Sequence, residues 1–166
     1  GLVFHNLLVA AIACEDETQI TSALSAIEKA PQDTHWNIGE VIQVEFKSEE
    51  SGHPVEVLFA ERVGPHQARL RGLPISKQLP GYDSKLLLDI QPQQYGSDEA
   101  SRRQIYPVLK VLEKSSHELI ETRLESESDL EALCAVLESE GIPARTSGTH
   151  TLIVAVTEQT RAQVDR

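Results

Sequence analysis

Large and ring-bearing side chains are scarce in this sequence. Its 166 residues include one Trp, three Tyr and three Phe, and there is no Met. Aromatic rings usually supply much of the buried area of a protein, so a core without them must be filled by Leu, Ile, Val and Ala. We therefore predict an aliphatic core.

Basic residues are also in short supply, with 15 Lys and Arg against 26 Asp and Glu, which gives a net charge of −11. A nucleic-acid-binding protein needs a basic face to neutralise phosphates, so no nucleic acid is expected as a partner. Acidity of this size is compatible with a basic protein partner, because complementary charge speeds association. The alternative is that the charge only keeps the protein in solution.

The residues that build metal and cofactor sites are few or badly spaced. Two cysteines, Cys14 and Cys134, cannot form a metal cluster by themselves. The six histidines include no i,i+4 pair, and neither a phosphate-binding loop nor a Gly-X-Ser-X-Gly motif is present. We therefore expect no metal and no cofactor, and the sequence favours a protein that is not an enzyme.

No apolar run reaches the length that a membrane span requires, so we do not expect a membrane protein. The run Leu7–Cys14 reads LLVAAIAC and predicts a buried strand. Its final cysteine leaves open the alternative of a vestigial lipoprotein signal. With the strand interpretation, we expect a cytoplasmic bacterial protein.

The stretch from Ser116 to Val156 has the pattern of a strand–helix–strand unit. Leu119–Leu124 and Leu152–Val156 are short apolar runs that predict two strands. Between them, a capping box at Ser128–Glu131 predicts the start of a helix, and Gly141 suits the left-handed position after its end. Apolar residues at helical spacing predict the buried face of this helix: Leu130, Leu133, Cys134 and Leu137.

The first half of the chain predicts a similar order of elements. A strand over Leu7–Ala13 is followed by a helix that Asp16 caps. Residues Glu40–Phe46 alternate between apolar and polar, which predicts a half-buried strand. Val55–Val63 then returns as the second arm of a hairpin.

Residues 98–114 admit two interpretations. Ile105 and the apolar residues that follow it fit helical spacing. Alternatively, Val108–Leu112 and a turn at Ser115–Ser116 fit a hairpin into Leu119–Leu124. We favour the hairpin and leave the helix open.

Together these elements predict a single α+β domain over residues 1–166. It can also be divided into two lobes, with a βαββ unit and extra strands in 1–90 and a hairpin with a second βαββ-like unit in 107–166. The predicted sheet is mostly antiparallel with two helices packed on one face, in a ferredoxin-like arrangement.

A series of strand and turn motifs lies in the last two thirds of the chain: Pro54–Ala60, Arg69–Pro74, Gly81–Asp83, Ser115–His117 and Gly141. In these motifs, the span Ser51–Val164 resembles an uncharacterised bacterial family of small domains of unknown function. The chain departs from the family pattern at Phe59, where the family has Trp, at Ser116, where the family has Gly, and in a longer insert at Gln91–Tyr106. The resemblance implies a hairpin at Val108–Leu124 and implies no activity.

His117 is the side chain best suited to chemistry. It lies at a predicted turn beside Ser115 and Ser116, and the fold could bring it near Asp83. A Ser–His–Asp relay requires each member to lie within hydrogen-bond distance of the next. The catalytic candidates are therefore His117, Ser116 and Asp83, and the alternative is that the His117 ring only binds the turn backbone.

Three other residues are predicted to face a partner. Trp36, the single Trp, precedes a strand in a polar loop, where it would either anchor an interface or cover the end of a helix. Glu138 and Glu140 lie near the C-terminus of the predicted helix, where the helix dipole disfavours anions. Stability alone would not place acidic residues there, so we predict that both belong to a partner-facing acidic patch.

These observations predict a non-catalytic, acidic binding module that engages a protein partner, as immunity and inhibitor proteins do, with a homodimer as a further option. A small-molecule-sensing regulatory domain is the alternative, and a small Ser/His hydrolase is the third. A flat acidic face around Trp36 would favour the first. A preformed apolar pocket with converging polar groups would favour the second, and a Ser–His–Asp contact set the third.

Overall fold

The computed structural model describes residues 2–29, 37–47, 54–89, 91–95 and 103–164. Within these ranges the chain has two parts, which meet at residues 114–117. The first part consists of α1 (Leu2–Ala13), α2 (Glu17–Lys29), β1 (Val41–Lys47), β2 (Pro54–Gly64), β3 (Gln67–Leu70), β4 (Lys85–Leu88), β5 (Gln93–Tyr95) and β6 (Arg103–Glu113). The second part consists of β7 (Glu118–Arg123), α3 (Glu127–Ser139), β8 (Ala144–Ser147), β9 (Thr151–Val156) and α4 (Glu158–Val164).

Strands β1, β2, β3, β4 and β6 close into a five-stranded β-barrel. Neighbours in this order are antiparallel, and the barrel closes where Ile105–Pro107 of β6 pairs in parallel with Gln43–Glu45 of β1. The short strand β5 pairs with β6 as well, so Ile105 is paired with Gln43 on one side and with Gln93 on the other. Closure of this kind removes the free edges that an open sheet would have.

Alternate residues of the barrel strands fill its interior. In β1, Ile42, Val44 and Phe46 are buried and Val41 and Lys47 are exposed, although Glu45 is buried on the other side of the strand. Apart from Phe46, the hydrophobic residues buried in the barrel core are aliphatic: Ile42, Val44, Leu58, Ala60, Ala68, Leu70, Leu86 and Leu88. Two charged residues of the same strands, Glu45 and Arg62, are buried as well. The predicted aliphatic core is confirmed.

Helices α1 and α2 form a hairpin on the outside of the barrel. Leu8 and Ala11 of α1 and Ile20 of α2 are buried against Leu87, which points outward from β4. The predicted strand at Leu7–Ala13 is therefore wrong. An uninterrupted apolar run does not distinguish a buried strand from a buried helix, and the alanines within this one favour the helix.

Helix α2 begins as predicted, because the carboxylate of Asp16 accepts a hydrogen bond from the N–H of Gln19 at 3.0 Å. Asp16 thus satisfies one of the N–H groups that the first turn of a helix leaves without a partner. Neither α2 nor any other described helix combines the length and the apolar character needed to cross a membrane.

The second part of the molecule is a three-stranded antiparallel sheet in the order β7-β9-β8, with α3 packed on one face. The predicted central strand Leu152–Val156 is confirmed, and all five of its residues are buried. Leu152, Val154 and Val156 pack towards α3, whereas Ile153 and Ala155 lie on the opposite face. The buried residues of α3 belong to the predicted stripe.

Helix α3 begins at a serine N-cap and is followed by a left-handed glycine, as predicted, although the serine is a different one. Ser126 is the N-cap and accepts a hydrogen bond from the N–H of Asp129 at 3.2 Å. The capping box predicted at Ser128–Glu131 is therefore placed too late; both serines precede an acidic residue by three positions, so the pattern fits either. At the other end, Gly141 has a φ of 70°, which confirms it as the left-handed residue after the helix.

The predicted ferredoxin-like fold, a mostly antiparallel sheet with two helices on one face, is wrong. The described strands belong to two sheets, and the larger one closes into a barrel. The predicted hairpin is wrong as well: residues 103–113 form a strand, but β6 pairs with β1, β4 and β5, and β7 pairs with β9. Residues 98–102 lie outside the described residues. Sequence alternation indicates that a segment is a strand without indicating its partner, and the turn at 114–117 takes the chain to the other sheet.

Replacing Gly141 with Val should lower the free energy of unfolding by about 1–2 kcal/mol, because a β-branched residue is strained at positive φ. A Cβ atom at this position would meet no other atom within 4 Å, so the cost is conformational and not steric crowding by neighbours. Denaturant unfolding measures the change, and Gly141→Asn is the control, since Asn tolerates this conformation. Equal losses for Val and Asn would contradict this explanation.

Candidate functional site

The segment between the barrel strands β3 and β4, residues 71–84, packs against the second sheet; we call it the connecting segment. Its Leu73 is buried against Ile153 and Ala155 of β9. Because side chains alternate along a strand, this contact covers the sheet face opposite α3. The connecting segment therefore buries a face that would otherwise be open to water.

The connecting segment begins in close contact with β2. The N–H groups of Arg71 and Gly72 both donate to the carbonyl of Phe59, at 2.9 and 2.8 Å. A Cβ atom at Gly72 would lie only 3.0 Å from the backbone nitrogen of Phe59. Glycine at this position thus permits the close approach that starts the segment on its course.

The carboxylate of Glu56 connects three elements of the structure. It accepts hydrogen bonds from the N–H of Ile75 at 3.0 Å and from Nη1 of Arg145 at 2.9 Å. The same Nη1 donates to the carbonyl of Leu73 at 2.7 Å. Glu56 is on β2 and Arg145 is on β8, and the Glu56 side chain is only 13% exposed. Charge-assisted hydrogen bonds of this kind hold the barrel, the connecting segment and the second sheet in one arrangement.

Arg71 is the centre of a neighbouring ion-pair network. Its guanidinium binds Glu61 through Nε at 2.9 Å and Nη2 at 2.8 Å, and it binds Asp83 through Nη1 at 2.6 Å. Asp83 also pairs with Arg69 at 3.5 Å. Burial alone lowers the pKa of Arg71, but its hydrogen bond to Glu61 and the acidic groups around it raise that pKa above its ordinary value. Each arginine of the network thus has a carboxylate partner.

A cleft of about 550 Å³, which we call the α3 cleft, lies between the connecting segment and the α3–β8 region. The side chains of Arg71, Tyr82, Cys134, Glu138 and Arg145 line it. Its two arginines already bind carboxylates, so this cleft has charge of both signs and no excess of positive charge. Cys134, expected in the core, is only partly buried and packs on the α3 side of the sheet.

A second cleft of about 610 Å³, which we call the β7 cleft, lies between the connecting segment and β7. Leu119, Glu121 and Arg123 line it from β7, with His117 just before the strand. Lys77 lines it from the connecting segment. The β7 cleft has apolar walls and converging charged groups, which is the feature that favours small-molecule binding.

A third feature lies on the outside of the barrel. Val41 is 66% exposed, Phe59 is 55% exposed and Val57 is 40% exposed. In the register of β1 and β2, Val41 is opposite Glu61 and Val57 is opposite Glu45, so all three apolar residues lie on the same outer surface. We call Val41, Val57 and Phe59 the exposed face.

The exposed face was not predicted from the sequence. The available signal is that Val57 and Phe59 alternate with Leu58 and Ala60, which makes both faces of β2 apolar. Such a run usually indicates burial on both sides. Here one side fills the barrel, and the other leaves Val57 and Phe59 partly exposed, although Glu45 on that surface is buried.

The structure brings together part of the predicted catalytic group. The hydroxyl of Ser115 lies 3.0 Å from Nδ1 of His117 and accepts a hydrogen bond from the N–H of His117 at 2.9 Å. Ser116 is exposed. The carboxylate of Asp83 binds Arg71 and Arg69, and no hydrogen bond joins it to His117 among the residues described. The ring of Tyr82, and not a carboxylate, packs edge-on against the ring of His117 at 5.3 Å.

The predicted partner-facing residues are placed as follows. Trp36 lies outside the described residues. Glu138 and Glu140 are both exposed at the end of α3, and Glu138 also lines the α3 cleft. Over the part of the chain that the structure describes, no cluster of three His, Cys, Asp or Glu residues could hold a metal ion.

Replacing Glu56 with Gln should lower the free energy of unfolding by about 1–3 kcal/mol, because Arg145 would lose its carboxylate partner in a largely buried site. The matched control is Glu118→Gln, which breaks the pair with Arg161 on the surface. Both of those side chains are more than half exposed, so the control should change stability by about 0.5 kcal/mol or less. Chemical denaturation of the two variants measures both values, and equal losses would contradict the role assigned to Glu56.

No protein-family model matches this chain, and no curated protein matches it. One similar solved structure is described as a "novel crystal structure of a hypothetical protein from Neisseria gonorrhoeae". The two chains are 12% identical, the match covers 79% of this chain and 84% of that chain, and the TM-score is 0.44. That description names no activity or partner. The resemblance to an uncharacterised bacterial family stays a prediction, and we argue function from the residues of this chain.

Proposed function

We propose that the protein is a non-catalytic binding module that engages a basic protein partner through the exposed face. The observation that carries this proposal is the aromatic ring of Phe59, 55% exposed and flanked on the same surface by Val41 and Val57. Single exposed apolar residues are common, but adjacent ones mark interaction sites, and buried aromatic anchors contribute most of the energy of many interfaces.

The sign of the protein's charge supports a basic partner. A net charge of −11 repels a second copy of the same chain and attracts a cationic surface from a distance. Glu61 is opposite Val41 on this surface and is 37% exposed, although its carboxylate also binds Arg71. The partner that fits best therefore has an apolar residue to place against Phe59 and lysine or arginine around it.

A binding role also suits the residues first considered for catalysis. Asp83 is held in ion pairs with Arg71 and Arg69, and its oxygens are used by the network that supports the connecting segment. The Ser115–His117 pair closes a turn, because the Ser115 hydroxyl also accepts the N–H of His117. These contacts support a structural role for the group and favour binding over a Ser/His hydrolase.

Replacing Phe59 with Ser should weaken binding of partner peptides by about 30-fold or more, as expected for the loss of an aromatic anchor. Peptides would be selected from a random displayed library on the wild-type protein and their affinities measured by titration. We expect them to combine an apolar residue with Lys or Arg. The control is Ile75→Ser, which removes a 51% exposed apolar residue from the connecting segment instead of the exposed face. Selected peptides that bind Phe59→Ser as tightly as the wild type would contradict the proposal, and so would self-association through Phe59.

Replacing Glu138 and Glu140 together with Lys should slow the association of these basic peptides and leave their dissociation rate nearly unchanged, because the two charges act at long range. The effect should shrink at high salt. The isolated variant should also gain a few tenths of a kcal/mol, since cations are favoured at the C-terminus of a helix. Stopped-flow kinetics and thermal unfolding measure the two effects. Unchanged association at low salt would show that these residues take no part in binding.

A further inference from the structure

The charged groups of the β7 cleft lie together. Glu121 and Arg123 are two positions apart on β7, so their side chains leave the same face of the strand. Nζ of Lys77 lies 3.8 Å from the carboxylate of Glu121. The cluster thus has two cations and one anion, which is a local excess of positive charge on a protein of net charge −11.

The remaining walls of the cleft are largely apolar: Pro74, Ile75, Leu79, Leu119 and Ile153. Leu119 precedes Glu121 on the same face of β7, and Ile153 is opposite Glu121 on β9. The apolar wall therefore starts directly beside the charged cluster. A volume of about 610 Å³ is within the range of small-molecule sites.

The cations of this cleft are poorly neutralised, unlike those of the α3 cleft. Lys77 is 85% exposed and Glu121 is 56% exposed, so their pair at 3.8 Å is loose. Arg123 makes no ion pair with any residue that the structure describes. In the α3 cleft, by contrast, Arg71 and Arg145 each bind a carboxylate at 2.9 Å or less.

We infer that the β7 cleft binds an aliphatic monocarboxylate. The carboxylate group binds Arg123 and Lys77 in competition with Glu121, and the hydrocarbon chain lies against Leu119 and Ile153. The cleft and the exposed face share none of their residues, so this site stands independently of the proposed partner.

Isothermal titration with hexanoate, heptanoate and octanoate tests the apolar wall. Binding should be saturable at one site and should tighten by about fourfold for each added methylene group, the factor expected for its burial. Octylamine has the octyl chain with a positive charge, and it should bind at least about tenfold more weakly than octanoate. Equal binding of octanoate and octylamine, or no saturable binding of octanoate, would overturn the inference.

Three variants test the charged cluster. Lys77→Gln/Arg123→Gln should weaken octanoate binding at least about tenfold. The control Lys114→Gln/Arg161→Gln makes the same change in net charge at two residues that do not line the cleft and should bind octanoate as the wild type does. Glu121→Gln removes the competing carboxylate and should tighten binding. All of these side chains are on the surface, and thermal unfolding checks that each variant is folded. Equal weakening in both double variants, or weaker binding by Glu121→Gln, would exclude this site.

Discussion

The bond between Glu56 and Arg145 is the interaction on which the arrangement of this molecule depends. It joins a barrel strand to a strand of the second sheet, and both partners also hold the backbone of the connecting segment. Leu73 and Tyr82 of the connecting segment also pack in the apolar cluster at β9, and the directional bonds of Glu56 and Arg145 add a fixed geometry to that contact. Because Glu56 is largely buried, the geometry is screened little by salt.

Acidic residues have two distinct roles in this protein. Some of them form ion pairs within the molecule: Arg71 binds Glu61 and Asp83, and Arg145 binds Glu56. Others, such as Glu138 and Glu140, stand exposed at the surface and contribute to the long-range field. The consequence is that the arginines of the α3 cleft are closely paired with carboxylates, whereas the cations of the β7 cleft are not. Net charge alone did not reveal this division.

Local signals in the sequence predicted what is local in the structure. Gly141 and the run Leu152–Val156 were identified because a turn conformation and a buried strand each depend on a few adjacent residues. Ser115 and His117 are close in sequence and do contact each other. Glu56 and Arg145 are separated by 89 positions, and nothing in either neighbourhood specifies the other. Barrel closure and the exposure of Phe59 depend likewise on pairing between distant strands, which apolar alternation does not encode.

The parallel pair that closes the barrel has a consequence for how the chain folds. All the other barrel strands lie between Gln43 and Ile105 in the sequence, so this pair completes a long loop whose closure entropy must be offset by contacts formed earlier. The second sheet needs only short turns and one helix between its strands, and we expect it to form sooner. Until the barrel closes, β1 and β6 each present an unpaired edge. The nascent protein is therefore more vulnerable to intermolecular strand pairing than the finished one.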